Sequence, residues 1–529
     1  MLRRREWVNL NGDWEFGAGE QRVFDRTITV PYCPQSALSG IGETNLGDVV
    51  WYRRRFEAPP GERLLLHFGA VDYRATVWVN GEEVAAHEGG HTPFAIDISK
   101  VARAGGNELV VRAEDPLADR TIPRGKQHWT TKPESIFYTA TTGIWQTVWL
   151  EPLPAHCIEA LRIEPDFDAG AVSVHVQADG RKSVTVTYAG DEVAHWSGKQ
   201  DSCQLELARR DTWSPETPNL YAVEVTLHDR AGRESDQVSS HFGLRKIETR
   251  DGKFWLNGQP YFQRLVLDQG YFAGGLLTAP SDAHLRRDIE LAKSLGFNGA
   301  RKHQKIEDPR WLWWADRLGF LVWEEMPSFH RHSPEAERRL AGEWEQAVLR
   351  DRDHPSIVAW VPANESFGLQ SVAPDVAARF LEGLYHFTHD LDGTRPVISN
   401  DGWEHTDTDL CTLHDYNPAH ALKRRYGRLH TALDPDAHKR PPYLPGYEYR
   451  GEPLLISEFG GIALARSGGF GWTEVATVDE FTTTYREMVE ALTQRGPVEG
   501  FGYTQLTDVE QERNGLLTAE RTPKADVET

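Results

Sequence analysis

Through its first half the chain alternates apolar and polar residues with a period of two. Leu64-Leu65-Leu66-His67-Phe68, Ala75-Thr76-Val77-Trp78-Val79 and Asn107-Glu108-Leu109-Val110-Val111-Arg112-Ala113 are such runs. A period of two sends successive side chains to opposite faces, so each run predicts a half-buried strand. Asn80-Gly81 is the strongest two-residue hairpin signal, and Gly105-Gly106 marks another turn. No helical period interrupts residues 1–153, which therefore read as a β-sandwich. Over 154–246 the strands shorten: Ala171-Val172-Ser173-Val174-His175-Val176, Ser183-Val184-Thr185-Val186-Thr187-Tyr188 and Tyr221-Ala222-Val223-Glu224-Val225-Thr226-Leu227. This spacing predicts an immunoglobulin-like sandwich without the Cys–Trp–Cys pattern of antibody domains.

After Asp251-Gly252-Lys253 the period changes, and helical stretches alternate with short apolar runs. Ser281 is placed to cap a helix over 283–294, with Gly296 as its stop. Further helices are predicted over 309–318, ended by Gly319, and over 335–353. Strands are predicted at 261–267, 297–301, 320–323, 357–361, 395–399, 410–414, 453–457 and 498–504. Eight strands alternating with helices fit a closed (β/α)₈ barrel over 247–529 better than an open sheet.

Two glutamates stand directly after strands of this barrel. Glu365 follows the fourth, in Val361-Pro362-Ala363-Asn364-Glu365-Ser366, and Glu458 follows the seventh, in Leu454-Leu455-Ile456-Ser457-Glu458-Phe459-Gly460. Both then emerge at the C-terminal rim, where such barrels carry their chemistry. A facing pair of carboxylates is the minimal machinery of glycoside hydrolysis, although either alone would also suit a surface residue ending a buried strand.

Composition narrows the classes further. A chain of 529 residues predicts two to four domains, and 39% hydrophobic residues suffice for large cores. The net charge of −21 disfavours nucleic acid or an anionic membrane as a partner. Cys33, Cys157, Cys203 and Cys411 are scattered, with neither a disulfide framework nor metal-ligand spacing. The basic start at Arg3-Arg4-Arg5 is followed by no apolar core of a secretory signal, and no run is long enough to span a membrane, so the expected location is cytoplasmic.

Four segments in order resemble glycoside hydrolase family 2, the group of β-galactosidases, β-glucuronidases and β-mannosidases. They are Trp7-Val8-Asn9-Leu10-Asn11-Gly12-Asp13-Trp14-Glu15-Phe16, Val77-Trp78-Val79-Asn80-Gly81, Thr142-Gly143-Ile144-Trp145-Gln146-Thr147-Val148 and Trp213-Ser214-Pro215-Glu216-Thr217-Pro218-Asn219-Leu220-Tyr221. The resemblance implies a multidomain β and α/β protein: a sugar-binding-like jelly roll, an immunoglobulin-like sandwich and a catalytic TIM barrel. It implies a retaining exo-acting enzyme on a terminal sugar of carbohydrate, with no cofactor expected and no metal ligands assigned, and leaves a structural metal and a homo-oligomer open. Glu365 matches the family's acid/base and Glu458 its nucleophile, with Asn364 on the sugar 2-hydroxyl. In Asn298-Gly299-Ala300-Arg301-Lys302-His303 the arginine braces the nucleophile and His303 lines the pocket. Tyr416 matches the tyrosine bonded to the nucleophile. His414 either touches substrate or packs, and Glu325 is either pocket-lining or structural.

The chain departs from the family at specificity positions. Where many relatives carry Tyr-Trp-Gln at the eighth strand, this one reads Tyr503-Thr504-Gln505, which keeps Tyr503 as a supporting residue but removes an aromatic platform. No Asn-x-Lys of β-glucuronidases follows Glu458, and Arg466 is an alternative cation for a uronate or else a solvated side chain. The expected activity is β-galactosidase-like, with a β-galactofuranosidase, arabinosidase or β-uronidase as alternatives; a non-catalytic carbohydrate-binding protein stands outside the class. The polar, aromatic loop 120–138 is expected to reach the barrel mouth, within about 15 Å of both glutamates.

Overall fold

The structure, a computed structural model, describes residues 2–465 and 468–526. Its first sandwich packs a six-stranded sheet on a four-stranded one. The larger sheet runs Arg26–Val30, Gly12–Ala18, Val49–Glu57, Gly106–Glu114, Arg74–Val79, Glu82–Glu88. Alternation dictates the packing: Ala75, Val77 and Val79 are buried while the residues between them are not. Asn80 and Gly81, both at positive φ, turn the last hairpin as its two-residue signal requires. The second sandwich has seven strands in sheets of three and four, closed on a core that includes Val174, Val184, Val225 and Val238.

The barrel begins with Gln263–Asp268, whose two neighbours are Gly299–Lys302 and Val498–Thr504, so the first and last strands close the ring. Leu321–Glu325 and Ile357–Val361 extend one side; Leu454–Gly460 and Cys411–His414 extend the other. The expected strand at 395–399 is not formed as such. That segment meets the fourth strand through isolated parallel bridges, Trp360 to Val397 and Asn364 to Asp401. Pro396 has no N–H to give, and the side chain of Asp409 takes up the N–H of Val397. Helices Asp282–Ser294, Pro309–Leu318 and Pro334–Asp351 lie within one or two residues of expectation. Ser281 occupies the N-cap position, but its hydroxyl bonds Nδ1 of His284 at 2.8 Å instead of a backbone N–H.

The sandwiches are locked to the barrel by polar contacts. Asp316, buried in the second barrel helix, lies between His241 of the second sandwich (2.8 Å) and His354 (2.6 Å). The loop 120–138 reaches the barrel rim as expected. Arg124 and Gly125 donate to the carbonyl of Ser328 at 3.1 and 3.0 Å, and Phe137 packs on Phe367 at 6.1 Å between centroids. All four cysteines are free. Among the described residues no helix is long and apolar enough to cross a membrane.

Candidate active site

Alternation along the second barrel strand places the site's central cation. Ala300 faces the outer core, so Arg301 points into the barrel, where it is fully buried. Its guanidinium makes its shortest contacts with four residues from three other strand ends and the bridged segment. Nε bonds Glu325 at 2.7 Å; Nη1 lies 2.5 Å from Glu458 and 2.8 Å from Asp401; Nη2 donates to Oδ1 of Asn364 at 2.7 Å. A planar fork of donors fits this fan of acceptors, which a lysine ammonium could not span.

Glu458 ends up doubly held. Oε1 accepts from Arg301, and Oε2 accepts from the hydroxyl of Tyr416 at 2.5 Å. Burial works against its charge, but His414 and Arg301 overcome that and lower its pKa to about 2. Glu365 faces it: an oxygen of each carboxylate and a ring nitrogen of His414 lie within 4.8 Å of one another. Glu365 takes a positive φ of 51°, a conformation costly for a side-chain-bearing residue. Its N–H is fixed to the carbonyl of Asp401 at 2.9 Å, so the bridged segment imposes that turn and aims the carboxylate inward.

His414 links the two carboxylates to Asp401. Nδ1 lies 2.7 Å from Oε1 of Glu365 and Nε2 lies 3.0 Å from Oδ2 of Asp401. Burial alone would discharge this imidazole. The charges of Glu458 and Asp401, with the bonds to Asp401 and Glu365, outweigh burial and raise its pKa to about 10. Asp401 is held well below the usual carboxylate range: burial opposes its charge, and Arg301 and His414 prevail. The buried cluster is thus two cations, Arg301 and His414, against Asp401 and Glu458. Gly402 makes room for the imidazole, for a Cβ there would lie 2.7 Å from the ring at a φ of +102°.

Glu325 also joins the cluster, and burial pushes its pKa up to about 7 against the pull of Arg301. His303 lies 3.0 Å from Glu325 through Nδ1, with Nε2 bonded to no protein group among the described residues. The Nδ2 of Asn364 is likewise unused. Tyr503 does not join the site. It is fully buried outside the ring of carboxylates, packed between Phe459 and Tyr485, and it supports the strand that carries Glu458. Thr504 bonds the Tyr416 hydroxyl at 3.1 Å. Arg466 lies outside the described residues.

Three site residues escaped the sequence reading. Asp401 sits in Asn400-Asp401-Gly402, which reads as a turn; its position after the fifth barrel segment was the available signal. Trp403 packs edge-on against His414 at 5.5 Å. Trp472, 41% exposed, stacks on Tyr416 with centroids 4.3 Å apart. It lies in the long loop after the seventh strand, and its aromatic face stands beside the tyrosine that bonds Glu458.

Comparison with known proteins bears on this arrangement. Residues 247–529 match the profile "Glycosyl hydrolases family 2, TIM barrel domain", 157–245 match "Glycosyl hydrolases family 2", and 43–142 match "Glycosyl hydrolase 2 galactose-binding domain-like". A "Beta-glucuronidase" of Canis lupus familiaris is 28% identical over 76% of this chain and 69% of its own length. A "Beta-glucuronidase" of Paenibacillus borealis is 26% identical over 98% of this chain and 95% of its own. A "Beta-galactosidase" of Thermoanaerobacter pseudethanolicus is 29% identical over 74% of this chain, which spans 55% of that longer protein. Among solved structures, the β-D-glucuronidase of Dictyoglomus thermophilum superposes with a TM-score of 0.82 at 21% identity, covering 98% of this chain and 95% of that one. The Ruminococcus gnavus β-glucuronidase in complex with D-glucuronic acid gives 0.81 at 20% identity, covering 99% and 96%. At these identities the superpositions establish a shared fold.

Proposed function

The chain belongs to family 2 of the glycosyl hydrolases and is a glycoside hydrolase; from that premise we propose that it removes a terminal β-uronide with retention of configuration. The observation that carries the mechanism is the pairing of Glu458 with Glu365. One carboxylate is held ionised by Arg301 and Tyr416; the other lies across from it, with oxygens within 4.8 Å. That separation suits double displacement, whereas an inverting pair stands roughly 6.5–9.5 Å apart to admit a water.

Glu458 attacks the anomeric carbon while Glu365 passes its proton to the departing glycosidic oxygen. The product is a glycosyl ester on Glu458. Glu365, now a carboxylate beside the His414 imidazolium, takes a proton from water; the hydroxide attacks the anomeric carbon and Glu458 departs as a carboxylate. Configuration inverts twice and is retained. Asn364, its Oδ1 occupied by Arg301, offers Nδ2 to the sugar 2-hydroxyl, and His303 offers Nε2.

The sequence expectation put a galactoside first. The uronide reading is preferred because the mammalian and Paenibacillus relatives are β-glucuronidases, as are the structures that share the whole fold. A neutral galactoside or a furanoside is the second reading. It is favoured by Thr504 in place of a platform tryptophan and by the β-galactosidase relatives. Hydrolysis of p-nitrophenyl β-glucuronide, galacturonide, galactopyranoside, galactofuranoside and arabinoside by wild type and Glu458→Ala separates them. Uronide turnover that disappears in the variant supports the proposal; turnover of neutral glycosides alone overturns it.

A further inference from the structure

Lys126 is carried by the first sandwich, yet it lies at the barrel mouth. It is 5% exposed, and among the described residues its Nζ has neither a hydrogen-bond acceptor nor a carboxylate within 4.0 Å. Other buried lysines are satisfied: Lys182 by Asp201, Lys302 by Asp268 and Glu307, Lys305 by Glu307 and two carbonyls. The stem of Lys126 is buried while its Nζ is not closed off from solvent, which leaves the ammonium open to the charge of a ligand at the barrel mouth. The rings of Phe137 and Tyr138 lie 5.6 and 5.9 Å from Nζ.

The segment that carries Lys126 is pressed against the barrel beside the site. The preceding Gly125 is pressed so tightly on the second strand's end that a Cβ would lie 2.4 Å from the carbonyl of Gln304, the neighbour of His303. The Lys126 carbonyl accepts the N–H of Tyr138 at 2.8 Å, and Tyr138 in turn bonds Glu512 of the barrel. Phe137 packs on Phe367, two residues past Glu365. The positive charge of Lys126 contributes to depressing the basicity of both His303 and His330, after burial and Arg301 at the first and after burial and two arginines at the second.

We propose that Lys126 binds the carboxylate of the uronide, so that a cation from the sandwich domain selects the substrate of the barrel. This rests on the uronide reading above. The rings of Phe137 and Tyr138 flank Nζ and take the place of part of its water shell, which strengthens an ion pair formed there. The sandwich is then part of the specificity pocket, which explains why the loop 120–138 is tied down at Ser328, His330 and Gln511.

The test compares kcat/KM for p-nitrophenyl β-glucuronide and β-glucoside in wild type, Lys126→Met and Lys126→Arg, with thermal melting of each. The ratio of uronide to neutral activity should fall about hundredfold in Lys126→Met, mainly through KM, and be largely restored in Lys126→Arg. A ratio within threefold of wild type in a folded Lys126→Met overturns the assignment and leaves the uronide reading intact. If that variant does not fold, Lys126→Gln is held to the same criterion. A wild type that hydrolyses only neutral glycosides overturns both.

Discussion

His414 stands between the two carboxylates Glu365 and Asp401, 2.7 Å from one and 3.0 Å from the other, on an imidazole held protonated to about pH 10. In His414→Asn, Glu365 loses its cationic partner. We expect kcat/KM to fall more for a phenyl glycoside than for a dinitrophenyl one, because only the poor leaving group needs the acid. The pH profile checks the cause. In wild type the alkaline limb should contain a step near pH 10 that the variant lacks. The stability contribution has the same sign: with the folded pKa above the unfolded value of about 6.5, it is fully present below that pH and is lost as pH rises through about 10.

Glu458 and Glu365 should separate kinetically. Glu458→Ala removes the nucleophile and should abolish turnover of every glycoside. Glu365→Ala should lose about 10²–10⁴-fold on poor leaving groups but keep dinitrophenyl glycosides, with azide accelerating turnover and yielding the β-glycosyl azide. Product stereochemistry by NMR decides the matter, and an α-azide would contradict double displacement.

Arg301 pairs with Asp401 and Glu458 while fully buried, sharing their charge with the His414 imidazolium. Arg301→Met leaves buried charge uncompensated and should cost about 3–5 kcal/mol of stability, read from urea unfolding, besides loss of activity. Since Glu458 remains ionised down to about pH 2 in wild type, its own protonation should not shape the acid limb above pH 4; in Arg301→Met that limb should move upward.

Gly402 lies beside the imidazole. Gly402→Ala would set a methyl 2.7 Å from the His414 ring at a φ of +102°. We expect about 1–3 kcal/mol of destabilisation together with the altered alkaline limb of His414→Asn. Lower stability with an unchanged pH profile would show that the ring does not depend on this gap.

Tyr416 and Trp472 form a stacked pair with its polar end on Glu458. Tyr416→Phe should lower kcat by about ten- to hundredfold with little change in KM, for the hydroxyl stabilises the departing carboxylate. Trp472→Ala should instead act mainly on KM. Equal effects of the two substitutions on kcat would contradict this division.

Much of this was legible in order along the chain. Period-two runs and Asn80-Gly81 marked the first sandwich, and strand-ending glutamates marked the rim, because local backbone geometry fixes which face a side chain takes. Tyr503 shows where such reading stops. It follows the same strand logic as Thr504, yet one step along a strand reverses the face, and it packs into the core while Thr504 meets Tyr416. The fifth barrel segment shows another limit, since Val397 has the composition of a strand residue but its N–H goes to Asp409.

The sequence by itself determined the three-part architecture, the family resemblance and the two glutamates, all of which rest on short-range pattern. Only the tertiary structure decided the charge state of the site. Arg301 and His414 come from different strands and Asp401 from the bridged segment, and their protonation follows from distances and burial that no spacing encodes. It also brought Lys126 from another domain to the barrel mouth. Electrostatic interaction depends on separation in space and on exclusion of water, and both are products of the closed ring and the packed sandwich rather than of order along the chain.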